Sequence, residues 1–240
     1  VEVGMKSPAR LALTAVPLAF LLALLVAPAL RLLAEGGHVS WWEPVRDSYL
    51  RWRLAWSTAQ AALTCLAALA LGLPVAWVLA RFEFAGRALV IHALMLPFVV
   101  PTLVAAMGVL ALLGPHGVIS AQLGLDLQGG PWLLIYGNLF FNLCLVVRSA
   151  TEALGQVSAS RVAAARTLGA TPWRVFWRVE WPAITPWLMS ALCLVFLYCF
   201  AGFGLALILG GPDYATMEVE IYTLVAHELE LGQASVLAVW

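Results

Sequence analysis

The sequence has 240 residues, and its thirteen basic and thirteen acidic side chains cancel. Residues of the AVILMFWYC set make up 63% and charged residues 11%, against about 45–50% and about 25% in soluble globular domains. These proportions exclude a water-soluble fold, and the absence of net charge gives no electrostatic footprint for nucleic acid; the chain reads as an all-α polytopic membrane protein surrounded by lipid.

A span needs about 20 predominantly apolar residues to cross a hydrocarbon core about 30 Å thick. Lys6 and Arg10 precede the first such run, residues 11–30, which lacks a cleavage site and reads as a retained span. The next four cover about residues 54–80, 88–113, 131–147 and 183–209. None contains Asp, Glu, Lys or Arg, each of which costs about 2.5–3.5 kcal/mol at mid-membrane. A sixth begins near Leu231 and is cut off at Trp240, so the chain reads as a fragment: five complete spans plus a truncated sixth.

With the N-terminus inside, the inner segments hold Lys6, Arg10, Arg81, Arg87, Arg148, Arg161, Arg166, Arg174 and Arg178. The outer segments hold Arg31, Arg46, Arg51 and Arg53. Nine against four places the N-terminus and the 148–182 loop in the cytoplasm. Trp41 and Trp42 suit an outer aromatic belt.

Helix breakers interrupt two spans. Pro97 and Pro101 lie four apart, hence on one face of the third, and Gly72 and Pro74 interrupt the second. Such breaks serve either as packing kinks or as the lining of a pathway. Cys65, Cys144, Cys193 and Cys199 all fall in apolar runs without CxxC spacing, and read as buried packing residues.

The loop of about residues 148–182 is too long for a plain connection. Residues 160–168 are good helix formers, and Gly169 suits the left-handed position that closes a helix. Thr171 can cap a second helix with Pro172 at its first position. That helix, 172–180, puts Val175, Phe176 and Val179 on one apolar face, and Pro182 stops it. Arginines flank the turn. The unit is either a docking knob or an interfacial re-entry helix.

Ala163-Ala164-Ala165-x3-Gly169-x9-Val179-x-Trp181-Pro182 resembles the EAA loop of binding-protein-dependent ABC importer permeases. That family's pattern is Glu-Ala-Ala-x3-Gly-x9-Ile-x-Leu-Pro. Ala163 replaces the glutamate, Val179 the isoleucine and Trp181 the leucine; Glu152 lies eleven residues too early to substitute for the missing acid. The resemblance implies a MetI-like importer transmembrane domain whose loop inserts into a groove of a cytoplasmic ATP-binding subunit dimer. Ala163, Ala164, Ala165 and Gly169 are then coupling residues. Arg166, Thr171, Pro172, Trp173 and Arg174 join them on the physical reading, since small side chains allow close approach and arginines can pair with carboxylates.

Further stretches, among them Asn138-Leu139-Phe140-Phe141-Asn142 and Leu209-Gly210-Gly211-Pro212, are similar to the N-terminal half of thiamine importer permeases. Ferric-iron importer permeases share much of this pattern. The resemblance implies a bacterial inner-membrane subunit, a periplasmic substrate-binding protein and a second permease half, fused or separate. Asn138 and Asn142 place two amides on one face of the fourth span. Phe140, Phe141, Tyr198, Phe200 and Phe203 supply aromatic surface that can hold a cation. Asn138, Phe141, Asn142 and Tyr198 are therefore pathway candidates; the alternative is interhelical hydrogen bonding and ordinary packing. Met217, Ile221, Leu224, Val225 and Leu229 recur at helical spacing, with Glu218, Glu220, Glu228 and Glu230 on other faces, as in an outer amphipathic helix.

Other classes fit less well. An intramembrane enzyme needs paired catalytic groups in its spans, yet the four histidines are scattered and no GxSxG or HExxH occurs. A secondary transporter needs an ionisable coupling residue in a span. No P-loop occurs, so ATP hydrolysis falls to another chain, and no cofactor of its own is expected.

Overall fold

The computed structural model describes residues 8–124 and 130–240; Lys6, counted above toward orientation, lies outside them. Every regular element among the described residues is helical. In chain order these are α1 (Pro8–Glu35), α2 (Glu43–Arg46), α3 (Ser48–Arg81), α4 (Arg87–Val99), α5 (Thr102–Leu113), α6 (Val118–Leu123) and α7 (Trp132–Gly155). There follow α8 (Ala159–Thr167), α9 (Pro172–Val175), α10 (Trp181–Phe200), α11 (Phe203–Leu209), α12 (Met217–Thr223) and α13 (Leu231–Val239). Among the described residues, five stretches are long and apolar enough to cross a membrane: Ala15–His38, Ser48–Arg81, Thr102–Gln122, Trp132–Gly155 and Pro172–Phe200. The described residues form two compact units, one of residues 52–124 with 130–219 and one of residues 8–51 with 220–240.

In the smaller unit, residues 15–35 of α1 are all exposed, as in a helix solvated by hydrocarbon chains. Helix α13 starts at Leu231, where the sixth span was expected, and packs against α1. The Trp240 indole donates to the Trp41 carbonyl at 3.0 Å. Trp41 is accordingly half-buried, while Trp42 is exposed.

In the larger unit α7 is the central helix, touching α4, α5, α10 and α11. Gly72 and Pro74 do not break α3, which runs unbroken to Arg81. Gly72 instead serves close approach: a Cβ there would lie 3.1 Å from Val146 Cγ1 of α7. It belongs to a buried stripe of small residues, Ala61, Thr64, Ala68, Gly72 and Ala76. Small residues bring membrane helices together because van der Waals packing, with little hydrophobic gain, must hold them. Cys144 and Cys199 are buried and Cys65 half-buried, whereas Cys193 faces outward, against the expectation that all four pack inside.

The third apolar run is two helices. Helix α4 ends at Val99, Val100 and Pro101 are extended, and α5 begins at Thr102. Pro101 therefore does not share a helical face with Pro97; it stands at the cap of α5, where its missing N–H costs nothing. The fifth run is likewise divided, with α10 ending at Phe200 and α11 starting at Phe203.

The stretch from 217 onward departs from a simple amphipathic helix. Met217 and Leu224 are buried, but Val225 and Leu229 are exposed, and Leu229 takes a left-handed φ of 58°. Glu220 is buried and accepts a hydrogen bond from the Tyr49 hydroxyl at 2.7 Å. Helical spacing alone missed this because a buried polar partner offsets the cost of enclosing the carboxylate.

Candidate functional site

Two features stand out in the larger unit: a helical corner at one end of α7 and α10, and a cavity beside the breaks in the helices. The corner starts later than the sequence implies, because α7 continues to Gly155 and keeps Arg148 helical, ion-paired with Glu152 at 2.8 Å. Helix α8 then ends in a Schellman motif. The Gly169 N–H donates to Arg166 O at 2.9 Å and the Ala170 N–H to Ala165 O at 3.1 Å, with Gly169 at φ +79°. Thr171 caps α9 as anticipated, its hydroxyl accepting from the Arg174 N–H at 3.4 Å, and Pro172 follows it.

Helix α9 does not stop at Pro182. A wide π turn, Phe176–Glu180, carries it directly into α10. The Trp181 N–H donates to Phe176 O, one residue further back than in an α-helix. This wider turn accommodates the proline, which has no N–H to give and whose ring crowds the preceding turn.

Val175, Phe176 and Val179 turn inward, matching the predicted apolar face, and Val162 of α8 is buried as well. Ala163, Ala164, Arg166, Gly169, Thr171, Pro172, Trp173 and Arg174 are all exposed, and Ala165 is half-buried. The tip carries Leu168 at 88% and Trp173 at 70% exposure. Trp173 stacks on Phe176 with ring centroids 6.2 Å apart, which holds the corner's aromatic edge in place. At the base Glu180 is buried and ion-paired with Arg81, the last residue of α3.

The four pathway candidates meet at one place. Asn138, Phe141, Asn142 and Tyr198 line a cavity of about 310 Å³ together with Phe98, Thr102, Gly202, Phe203, Gly204 and Leu205. No Asp, Glu, Lys, Arg or His is among these residues. Both helix breaks border it, at Thr102 and Gly202, so the interrupted backbone lies where a membrane protein tolerates it. Phe98 and Tyr198 meet edge to face, with centroids 6.4 Å apart. Phe200 does not contribute: it stacks on Phe196 and packs on the core.

Interhelical hydrogen bonding also occurs at the same residues. The Asn138 amide donates to Gln60 Oε1 at 2.8 Å, and Gln60 Nε2 donates to Cys199 O at 2.7 Å. Asn142 Nδ2 donates to Asn138 O at 2.9 Å. The two asparagines thus line the cavity and hold α3, α7 and α10 together. Gln60 escaped the sequence reading, although a single amide in a long apolar run was its signal.

Arg53, counted as an outer-loop cation, is buried. Its guanidinium donates to the carbonyls of Pro212, Asp213 and Ala215 at 2.9–3.3 Å. The Trp56 indole donates to Tyr214 O at 2.7 Å, and Ser57 Oγ accepts the Met217 N–H at 2.8 Å. The Gly-Gly-Pro segment singled out in the sequence is therefore the start of a loop held by the first turns of α3.

Residues 68–239 match the family described as binding-protein-dependent transport system inner membrane component. The chain is 30% identical to the thiamine transport system permease protein ThiP of Haemophilus influenzae over 85% of its own length and 39% of that protein. It is 34% identical to the protein of that name from Brucella abortus, over 78% and 36%. The chain thus spans less than two fifths of these relatives' length. The sulfate transport system permease protein CysW of Synechocystis is 30% identical over 94% of this chain and 86% of that protein. A bacterial alginate ABC importer solved with a pentasaccharide-bound periplasmic protein has the same fold, with a TM-score of 0.79 at 19% identity over 95% of this chain and 86% of that one.

Proposed function

The chain belongs to the family of binding-protein-dependent transport system inner membrane components, and on that footing we propose that it is the permease subunit of an ATP-driven importer for thiamine or its phosphate esters. It lies in a bacterial inner membrane with its N-terminus in the cytoplasm, and it provides a path and no covalent chemistry. Its partners are a dimer of cytoplasmic ATPase subunits, a periplasmic binding protein and a second permease half, fused or separate.

The observation that carries this reading is the α8–α9 corner. Ala163, Ala164, Ala165, Arg166, Gly169, Thr171, Pro172, Trp173 and Arg174 are displayed around a Schellman turn with Leu168 and Trp173 uncovered at its tip. An apolar tip flanked by arginines fits a groove with acidic rims. In the proposed cycle ATP binding closes the ATPase subunits, the corner follows, and the spans open outward to receive cargo from the binding protein.

Thiamine as cargo is supported by the relatives of that name and by the lining of the cavity. Phe98, Phe141, Tyr198 and Phe203 line it with aromatic side chains, a chemistry that suits an aromatic cation, and Asn138 and Asn142 add amides for its polar edge. Sulfate is the second reading, favoured by the similarity to the sulfate permease. The test is uptake of labelled thiamine and of labelled sulfate in cells producing the whole transporter. Saturable, ATP-dependent thiamine uptake that falls in a Tyr198→Ala variant is expected. Sulfate uptake without thiamine uptake would replace the cargo, and uptake unaffected by removal of the ATPase would remove the importer reading.

A further inference from the structure

We propose that the Arg81–Glu180 ion pair is a coupling strut that makes α3 follow the α8–α9 corner, so that motion of the corner reaches the cavity along two helices. The inference rests on the importer reading above and assigns a role to Glu180, an unspecified position of the loop pattern, and to Arg81, which lies outside it.

Glu180 is the last residue of the π turn, at the joint between the corner and α10. Its side chain is 5% exposed, and it pairs with Arg81 at the end of α3. Arg87, the other cation at the α3–α4 turn, is already engaged: its Nε donates to Leu79 O at 2.9 Å, and its guanidinium faces Glu83 at 3.7 Å. Both α8 and α9 pack against the 176–180 turn that ends in this joint, and Val162 and Val175 of the corner are buried. Displacing it therefore moves Glu180.

One route onward is covalent, through α10. The second is the ion pair, and α3 leads from it to the cavity. Gln60 lies 21 residues before Arg81 on that helix, about 30 Å at 1.5 Å per residue, and its side chain holds the cavity-lining Asn138.

A need for stability alone does not account for the pair. Arg81 reaches the pair from an exposed helix end, but enclosing the Glu180 carboxylate costs desolvation energy that a well-packed apolar residue avoids. What the pair supplies is direction: two helix ends are held in one register and pulled together rather than merely packed. A π turn beside it gives the helix a place to bend under that load.

The experiment uses the complete transporter, with its ATPase and binding protein, reconstituted in proteoliposomes and supplied with labelled thiamine. The quantity read is thiamine imported per ATP hydrolysed. In Glu180→Gln this ratio falls roughly tenfold, the upper part of the range for a coupling contact, while ATP hydrolysis and subunit association persist. The double variant Arg81→Glu/Glu180→Arg recovers the ratio, and Arg81→Met/Glu180→Met, which packs without the charge pair, does not. A normal ratio in Glu180→Gln or in the Met pair overturns the strut, as does a charge-swapped variant that shows no recovery. A wild-type complex in which ATP drives uptake of neither labelled thiamine nor labelled sulfate defeats the importer reading instead, before any variant is compared.

Discussion

Gln60 of α3 and Asn138 of α7 face each other in the interior, the Asn138 amide donating to Gln60 Oε1 at 2.8 Å. Both are almost wholly enclosed, and the Gln60 amide goes on to the Cys199 carbonyl of α10. Hydrocarbon offers no replacement partner, so loss of either side chain leaves polar atoms unsatisfied. Gln60→Leu is expected to destabilise the protein by about 1–2 kcal/mol, and a double-mutant cycle with Asn138→Leu to return a coupling of about 0.6–1.7 kcal/mol. Thermal unfolding in detergent measures both.

Gly169 lies at φ +79°, and a Cβ added there meets nothing within 4 Å. Gly169→Ala is therefore expected to cost only the strain of a left-handed backbone, about 1–2 kcal/mol. Gly169→Arg adds a long cation to the displayed face. It is expected to insert into the membrane normally and to abolish ATP-driven uptake and stimulation of the ATPase, as read in membrane fractions and transport assays.

Gly72 packs against Val146, with only 3.1 Å available for a Cβ. Gly72→Leu forces α3 and α7 apart and is expected to destabilise by about 1–3 kcal/mol. Gly108, whose Cβ would meet nothing within 4 Å, provides the control: Gly108→Ala leaves the unfolding temperature unchanged or raises it.

Burial pushes the Glu218 carboxyl above its ordinary value of 4.5. A carboxyl with a raised folded pKa favours the protonated native state. Its stabilising contribution is complete below pH 4.5 and is lost as pH rises through the folded value. Glu218→Gln is thus expected to raise the unfolding temperature near neutral pH and to match the parent protein in acid. Melting curves across that range check the sign.

Much of this architecture is legible in the sequence. Apolar run length identifies membrane-crossing segments because hydrocarbon thickness imposes it. The Gly169 turn, the Thr171 cap and the inward face of Val175 and Phe176 are local, so backbone conformation and nearest neighbours decide them. Tertiary structure decided the rest. A proline can break a helix, as beside Pro101, or be absorbed, as at Pro74 and Pro182, depending on which neighbours satisfy the freed carbonyls. Arg53 and Gln60 show the same limit: one reads as a loop charge and the other as an isolated amide. Only the arrival of residues more than a hundred positions away, the carbonyls of 212–215 and of Cys199, makes burying them tolerable. Spacing along a chain reports what a segment can be; whether a polar group is enclosed depends on partners that only folding brings together.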